Sequence, residues 1–269
     1  MIHATLEQLV GADERSISSL YGSWWSGTPP APNVERYVPV TSYHPAEKWN
    51  TLSSNGGGGL TIARDGEVAV VSPGEWLAAD GDRILLRRRR RWWQDGFLWT
   101  ASRRCTPLTA KRWRVRVYVP GGRIMSIREF SALASALDRA GYWYEGKVRL
   151  GASRHSDQCV FWLAAGDAVD AYEHLSAKIR SDPGRADPPP FTLRLGAVGI
   201  AHDPEGGQSL GLAVCGAVVA ARDQDSALDL QARWILTCEA YGLCAERPWR
   251  HPGPIDPFAV WSKLEKLAC

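Results

Sequence analysis

Lys147, Arg149, Arg154, His155 and Asp157 fall within eleven consecutive positions, the chain's richest cluster of residues suited to acid–base and anion chemistry. Guanidiniums fixed beside a lysine disfavour its charged form and so suit Lys147 to accept a proton. The same arginines can hold a phosphate through charge-assisted, bidentate hydrogen bonds. One site of this make-up could bind a phosphoester and remove a neighbouring proton. The plainer alternative is a solvated strand face that carries Lys147 and Arg149.

A second motif lies downstream. Gly207-Gln208-Ser209-Leu210-Gly211 has the spacing of a nucleophile elbow, and an aspartate (Asp223, Asp225 or Asp229) and then His251 follow in hydrolase order. An elbow needs a strand leading straight into the turn, whereas Asp203-Pro204-Glu205-Gly206 reads as a loop, so serine hydrolase ranks third. Arg87–Arg91 followed by Trp92-Trp93 mixes basic and aromatic residues as single-stranded nucleic-acid surfaces do. An exposed strand end explains that run more simply, and contact with an acidic leader peptide is the next reading. A net charge of only +3 fits no nucleic-acid partner. The six histidines are widely spaced, with no His-x-x-x-His, so neither a metal nor a cofactor is expected. His44 and His174 read as surface or partly buried residues. Asn55–Gly59, NGGGG, lacks the Lys-Ser or Lys-Thr that a phosphate loop requires.

The elements that must position these residues are legible in the middle of the chain. Arg112, Arg114, Arg116 and Tyr118 alternate with Trp113, Val115, Val117 and Val119, which predicts a half-buried strand with three guanidiniums on its outer face. Ser126 and Glu129 form a capping box for a helix whose inner stripe is Ile127, Phe130, Leu133, Ala134 and Leu137, with Gly141 just past its end. A strand over 142–150 places Trp143, Glu145, Lys147 and Arg149 on one face. Cys159–Ala164 reads as a buried strand, and Asp167 as the cap of a helix carrying Val169, Tyr172 and Ile179 inward.

Thr5–Trp25 has near-helical apolar spacing, and 60–71 and 83–100 are strand-rich. Phe191–Ala201 is extended. Helices follow over about 226–241, stopped by Gly242, and after Asp256 with Pro257 at the first position. The pattern is α+β: a largely antiparallel sheet flanked by helices, with a helical C-terminal segment. We read one domain over 1–269, with a helix and strand-rich part to about 110, a core over about 111–211 and C-terminal helices over 212–269.

Bulk properties agree with this reading. With 45% hydrophobic and 23% charged residues, the chain has a globular composition. Its six cysteines contain no C-x-x-C pair, the N-terminus lacks the pattern of a signal peptide, and the longest apolar run, 210–221, is too short to cross a bilayer. A cytoplasmic protein with reduced cysteines and no membrane partner is expected.

From Pro189 to Gly211 the chain reads PPFTLRLGAVGIAHDPEGGQSLG. This block resembles a stretch of the Hop-type bacterial effector-like proteins, in which Pro-Phe-Thr, a Gly-containing apolar segment, Asp-Pro and Ser-Phe-Gly follow in order. VRVYV (Val115–Val119), the helix 126–140, the Lys147 strand, SDQCVFW (Ser156–Trp162) and LYGSWW (Leu20–Trp25) resemble the family in the same sequence.

Members from the biosynthesis of class V lanthipeptides and thioamitides, which are ribosomally made and then modified (RiPPs), act as lyases. A kinase-like partner phosphorylates Ser or Thr of a precursor peptide, and the lyase eliminates phosphate to leave a dehydroamino acid. The resemblance thus implies a carbon–oxygen lyase acting on a phosphopeptide, a phosphoserine/phosphothreonine lyase. It makes Lys147 the base and His155 the acid for the leaving oxygen. Arg116, Arg149 and Arg154 become phosphate clamps, and Asp157, Thr192 and Ser209 further substrate-binding residues. The chain also departs from the pattern. Leu193 and Val214 stand where the family has cations, His202 replaces an acidic residue, and Arg-x-Asp becomes Arg154-x-x-Asp157. These departures keep open a non-catalytic member that binds the precursor peptide or the kinase.

Overall fold

Period-two patterning is realised as two antiparallel sheets. The computed structural model describes residues 6–7, 16–21, 47–55, 57–64, 67–71, 76–77, 83–86, 91–94, 97–102, 104, 106–107, 110, 113–120, 127–149, 157–179, 187–204, 209–224, 227–252 and 256–268. After a short helix α1 (Ile17–Leu20), strands β1 (Glu47–Asn55), β2 (Gly59–Arg64), β3 (Glu67–Val71), β4 (Trp76–Leu77) and β5 (Arg83–Leu86) form the first sheet, ordered β3-β2-β1-β5-β4. It buries Trp49, Leu60, Ile62, Val71 and Ile84. The NGGGG segment turns β1 into β2, with Asn55 paired to Gly59 and both Gly57 and Gly58 at positive φ.

The second sheet holds β6 (Arg91–Gln94), β7 (Phe97–Ala101), β8 (Arg114–Val119), β9 (Tyr144–Val148), β10 (Cys159–Ala164), β11 (Leu193–Leu195) and β12 (Val198–His202). Their order is β11-β12-β8-β10-β9-β7-β6, with every neighbouring pair antiparallel. Helix α2 (Ile127–Ala140) connects β8 to β9, and α3 (Ala168–Ser176) follows β10. The C-terminal helices are α4 (Leu210–Asp223), α5 (Leu230–Ala240) and α6 (Val260–Ala268).

Helices cover both faces of the long sheet. On one side, Val115, Val117 and Val119 of β8 pack with Phe161 of β10, Phe130 and Leu137 of α2, Leu175 of α3 and Trp261 of α6. Burying a side chain such as Phe161 completely contributes about 1.5–3 kcal/mol. On the other side, Tyr118, Val160, Trp162 and Ala201 pack against Leu210, Val214 and Val218 of α4 and Trp234 of α5. The apolar run that opens α4 is therefore a buried helix.

This second layer corrects one expectation. Because α4 and α5 roof the face that carries the arginines, β8 is buried on both sides, and Arg116 is only 7% exposed instead of lying on a solvated surface. Two further corrections concern α3. A 3-10 turn (Ala165–Asp167) precedes it, and Asp167 makes no side-chain cap, because its backbone already has helical φ/ψ. The fully buried stripe of α3 is Ala168, Ala171 and Leu175, while Val169, Tyr172 and Ile179 pack only in part. The extended 191–201 segment is a hairpin of β11 and β12. Asp229 caps α5 by accepting from Ala232 N at 2.7 Å. The predicted cap Ser126 lies outside the described residues, as does most of the helix expected over 5–25. Among the described residues, no helix is long and apolar enough to cross a membrane.

Candidate functional site

Alternation along β9 leaves Gly146 and Val148 on the α2 side and sends Lys147 to the other, as the sequence predicts. Register then aligns that face in rows. Lys147 lies opposite Trp99 of β7 and Val160 of β10, and Val160 lies opposite Tyr118 of β8. One row along, Glu145, Trp162, Arg116 and Ala201 stand in line across β9, β10, β8 and β12. The sheet thus brings Lys147 and Arg116 together on one surface although 31 positions separate them in sequence.

Aromatic rings surround the lysine. Its Nζ lies 4.2 Å from the Phe97 ring centroid and 5.6 Å from those of Trp99 and Trp162. Trp99 and Trp162 are themselves stacked at 5.4 Å with 12° between planes. Such ring faces attract an ammonium. The Arg149 guanidinium also lies over Phe97, at 4.5 Å, and among the described residues its Nε has no hydrogen-bond partner. The backbone of Arg149 is fixed by Gln158: its N–H donates to the Gln158 carbonyl, and its own carbonyl accepts from Gln158 Nε2 at 3.2 Å.

Arg116 is held differently. Both its Nε and its Nη2 donate to Asp203 Oδ1, while Arg114 Nη2 holds Asp203 Oδ2 at 2.6 Å. The Arg116 guanidinium also covers Trp162 at 5.2 Å. Arg114, a third exposed, extends the chain of charges to Glu145 at 3.9 Å.

A polar cluster lies where α1 and α4 meet the sheet. Tyr21 OH donates to the buried Asp157 at 3.3 Å and shares a hydrogen bond with Ser209. Burial, and then the neighbouring Asp157 charge, push the Tyr21 phenol above its ordinary value. Tyr118 is raised to about 12, with burial outweighing the opposing effect of Arg116. Ser209 Oγ caps α4 by accepting from Leu212 N at 3.1 Å. β12 ends at His202 and six positions separate it from this serine in the sequence, whereas an elbow takes its nucleophile directly from a strand end. Thr192 donates to the Pro189 carbonyl at 2.6 Å and lies directly over Gly199, where a Cβ would collide with its hydroxyl. Arg154 and His155 lie outside the described residues.

The structure therefore gathers Arg116, Lys147, Arg149, Asp157 and Ser209 around one roofed sheet face and gives Thr192 a place at its edge. Sequence reasoning missed Tyr21, Trp99, Trp162 and Asp203 as components. A signal existed for Asp203, which directly follows β12 in the Asp-Pro pair, and for Tyr118, which shares the alternation of Arg114 and Arg116. Only the register could pair Trp99 with Lys147. His202 is buried, with Nε2 at 3.2 Å from the Gly242 carbonyl, and burial lowers its pKa to about 4. Among the described residues, no group of three or more His, Cys, Asp or Glu could hold a metal ion.

No protein-family model matches the chain, and no curated protein matches it. Among solved structures it is similar to the effector protein from Pseudomonas syringae pv. tomato strain DC3000, with TM-score 0.51 and 13% identity over 94% of this chain and 96% of that one. It is also similar to the effector protein from Pseudomonas syringae pv. syringae strain 61, with TM-score 0.44 and 18% identity over 58% and 63% of the two chains. The first likeness is one of fold, and it runs nearly end to end.

Proposed function

We propose that the chain is a phosphoserine/phosphothreonine lyase that eliminates phosphate from a kinase-modified precursor peptide. The observation that carries this reading is the pair Lys147 and Arg149. They lie two residues apart over the same Phe97 ring, and Arg149 offers an Nε with no partner among the described residues. Arg149 would take a phosphate oxygen by a charge-assisted bond. Lys147, as the amine, would remove the α-proton. The C–H electron pair then forms the Cα–Cβ double bond, the Cβ–O bond breaks, and phosphate leaves with that bonding pair. The ammonium left on Lys147 would rest among the rings of Phe97, Trp99 and Trp162. The end-to-end fold likeness to a bacterial effector supports the family resemblance seen in the sequence.

A specific observation favours a second reading, a non-catalytic protein that binds the phosphopeptide or its kinase. Arg116 is closed onto Asp203, and the family's two further cations are Leu193 and Val214, both buried apolar side chains here. Fewer cations then remain for a departing phosphate.

One experiment separates these readings. The protein is incubated with a phosphothreonine peptide carrying its leader, with the kinase-like partner present. Mass spectrometry follows the loss of phosphoric acid while a binding assay runs in parallel. Elimination supports the lyase, binding without elimination supports the second reading, and the absence of both sinks the two together.

A further inference from the structure

Arg149 lies one position beyond the paired part of the sheet on both of its flanks. Val148 closes the β9 ladders, facing Cys159 of β10 on one side and Leu98 of β7 on the other. Strand pairing therefore stops short of the peptide that carries the Arg149 guanidinium. Gln158 takes over there. Its carbonyl accepts from Arg149 N at 2.8 Å, and its side-chain Nε2 donates to the Arg149 carbonyl at 3.2 Å. A side-chain amide thus supplies the second bond of a last rung. Glutamine is mostly an exposed residue, yet Gln158 is fully buried. Its neighbour Asp157 is anchored as well, accepting from Tyr21 OH at 3.3 Å. The clamp on Arg149 therefore stands on the packed junction between the end of α1 and the sheet.

The two arginines of the site differ in where they are held. Arg116 is held at its head, where Nε and Nη2 both donate to Asp203. Arg149 is held at its foot. Its guanidinium lies over the Phe97 ring at 4.5 Å, and its Nε has no hydrogen-bond partner among the described residues. An arginine that takes a phosphate must keep its head available, so its direction has to come from its backbone and the ring beside it. With a loose backbone, the ligand itself would have to order the side chain, which weakens binding.

We infer that Gln158 is a positioning residue for phosphate recognition: it fixes the Arg149 backbone through both its N–H and its carbonyl, and so aims the guanidinium at the substrate phosphate. This rests on the phosphopeptide reading of the sheet face, whether that face eliminates or only binds. The plainer role, satisfying a carbonyl at a strand end, would stabilise the fold without favouring phosphate.

The test uses the whole chain and a leader-bearing peptide with α-methylphosphoserine at the modified position. That residue has no α-proton to lose, so calorimetry measures binding without turnover. The unphosphorylated form of the same peptide is the reference. Phosphate should tighten binding to the unsubstituted protein. Gln158→Leu should lose about tenfold in affinity for the phosphorylated peptide and bind the reference as before. In an Arg149→Ala background the same substitution should change affinity by less than about twofold, because the group it positions is gone. If Gln158→Leu does not fold, Gln158→Glu replaces it: the shape is kept, but a carboxylate has no N–H for the Arg149 carbonyl. An equal loss with and without Arg149, an equal loss for both peptides, or no loss at all would overturn the assignment and leave the phosphopeptide reading intact. Equal affinity of the unsubstituted protein for the two peptides would overturn both.

Discussion

Arg116 and Asp203 meet through two donors on one carboxylate oxygen, in a place where the arginine side chain is 9% and the aspartate side chain 6% exposed. Because Arg114 holds the other oxygen, a single carboxylate compensates two cations at the mouth of the candidate site. Removing it leaves a buried positive charge without compensation, which typically costs 3–5 kcal/mol. Asp203→Ala should therefore lower the unfolding free energy in urea by about that much. Arg114→Ala should cost clearly less, because Arg114 is a third exposed and water can replace it.

At Lys147, charge and basicity can be separated by substitution. If the amine is the base, Lys147→Arg should keep phosphopeptide binding and lose about 10²–10⁴-fold in elimination rate. Lys147→Ala should lose elimination and some binding. A fully active Lys147→Arg variant would remove the lysine from the chemistry, and a single-turnover assay on phosphothreonine peptide reads all three proteins.

His202 makes stability depend on pH. Its folded-state pKa of about 4 lies below the ordinary 6.5, so the unfolded chain takes up this proton first. Stability contributed by the neutral imidazole is fully present above about pH 6.5 and declines as pH falls towards 4. The loss is on the order of 3 kcal/mol. Urea unfolding from pH 7.5 to 4.5 should show this slope, and His202→Leu should flatten it.

The contact of Thr192 with Gly199 calls for paired substitutions. Gly199→Ala drives a methyl into the threonine hydroxyl and against Pro188, whose Cβ would lie 3.0 Å away. A destabilisation of about 1–3 kcal/mol is expected. Adding Thr192→Ala, which removes the hydroxyl that the new methyl meets, should recover part of it, and a double-mutant cycle in urea measures the coupling.

Tyr21→Phe removes a donor from the buried Asp157 and a partner from Ser209. Stability should fall by about 0.5–1.5 kcal/mol, read as a lower urea midpoint. A change of that size would tie the N-terminal helix to the sheet face.

Local patterns made the middle of the fold legible. Alternation located β8, β9 and β10 because each buries a face in period two, and the helical period of Phe130, Leu133 and Leu137 located α2. The candidate site was legible in part, through Lys147 and its neighbouring cations. What escaped depends on residues distant in sequence. The burial of Arg116 requires α4, which begins 94 positions later, to cover the sheet. The ring cage of Lys147 requires Phe97 and Trp99 to arrive in register from β7. Asp167 looked like a cap, but capping depends on backbone angles, and the turn before α3 had already set those to helical values.

The stacked indoles of Trp99 and Trp162 have an optical consequence. Rings 5.4 Å apart and 12° from parallel couple their electronic transitions, so the pair should produce an excitonic band in circular dichroism. The chain has 13 tryptophans, and subtracting the spectrum of Trp99→Phe isolates this one signal. Lys147 lies within 5.6 Å of both rings, so anything that draws the lysine aside changes the field the coupled transitions experience. The sheet face thus carries a built-in chromophore through which its occupancy can be watched without a label.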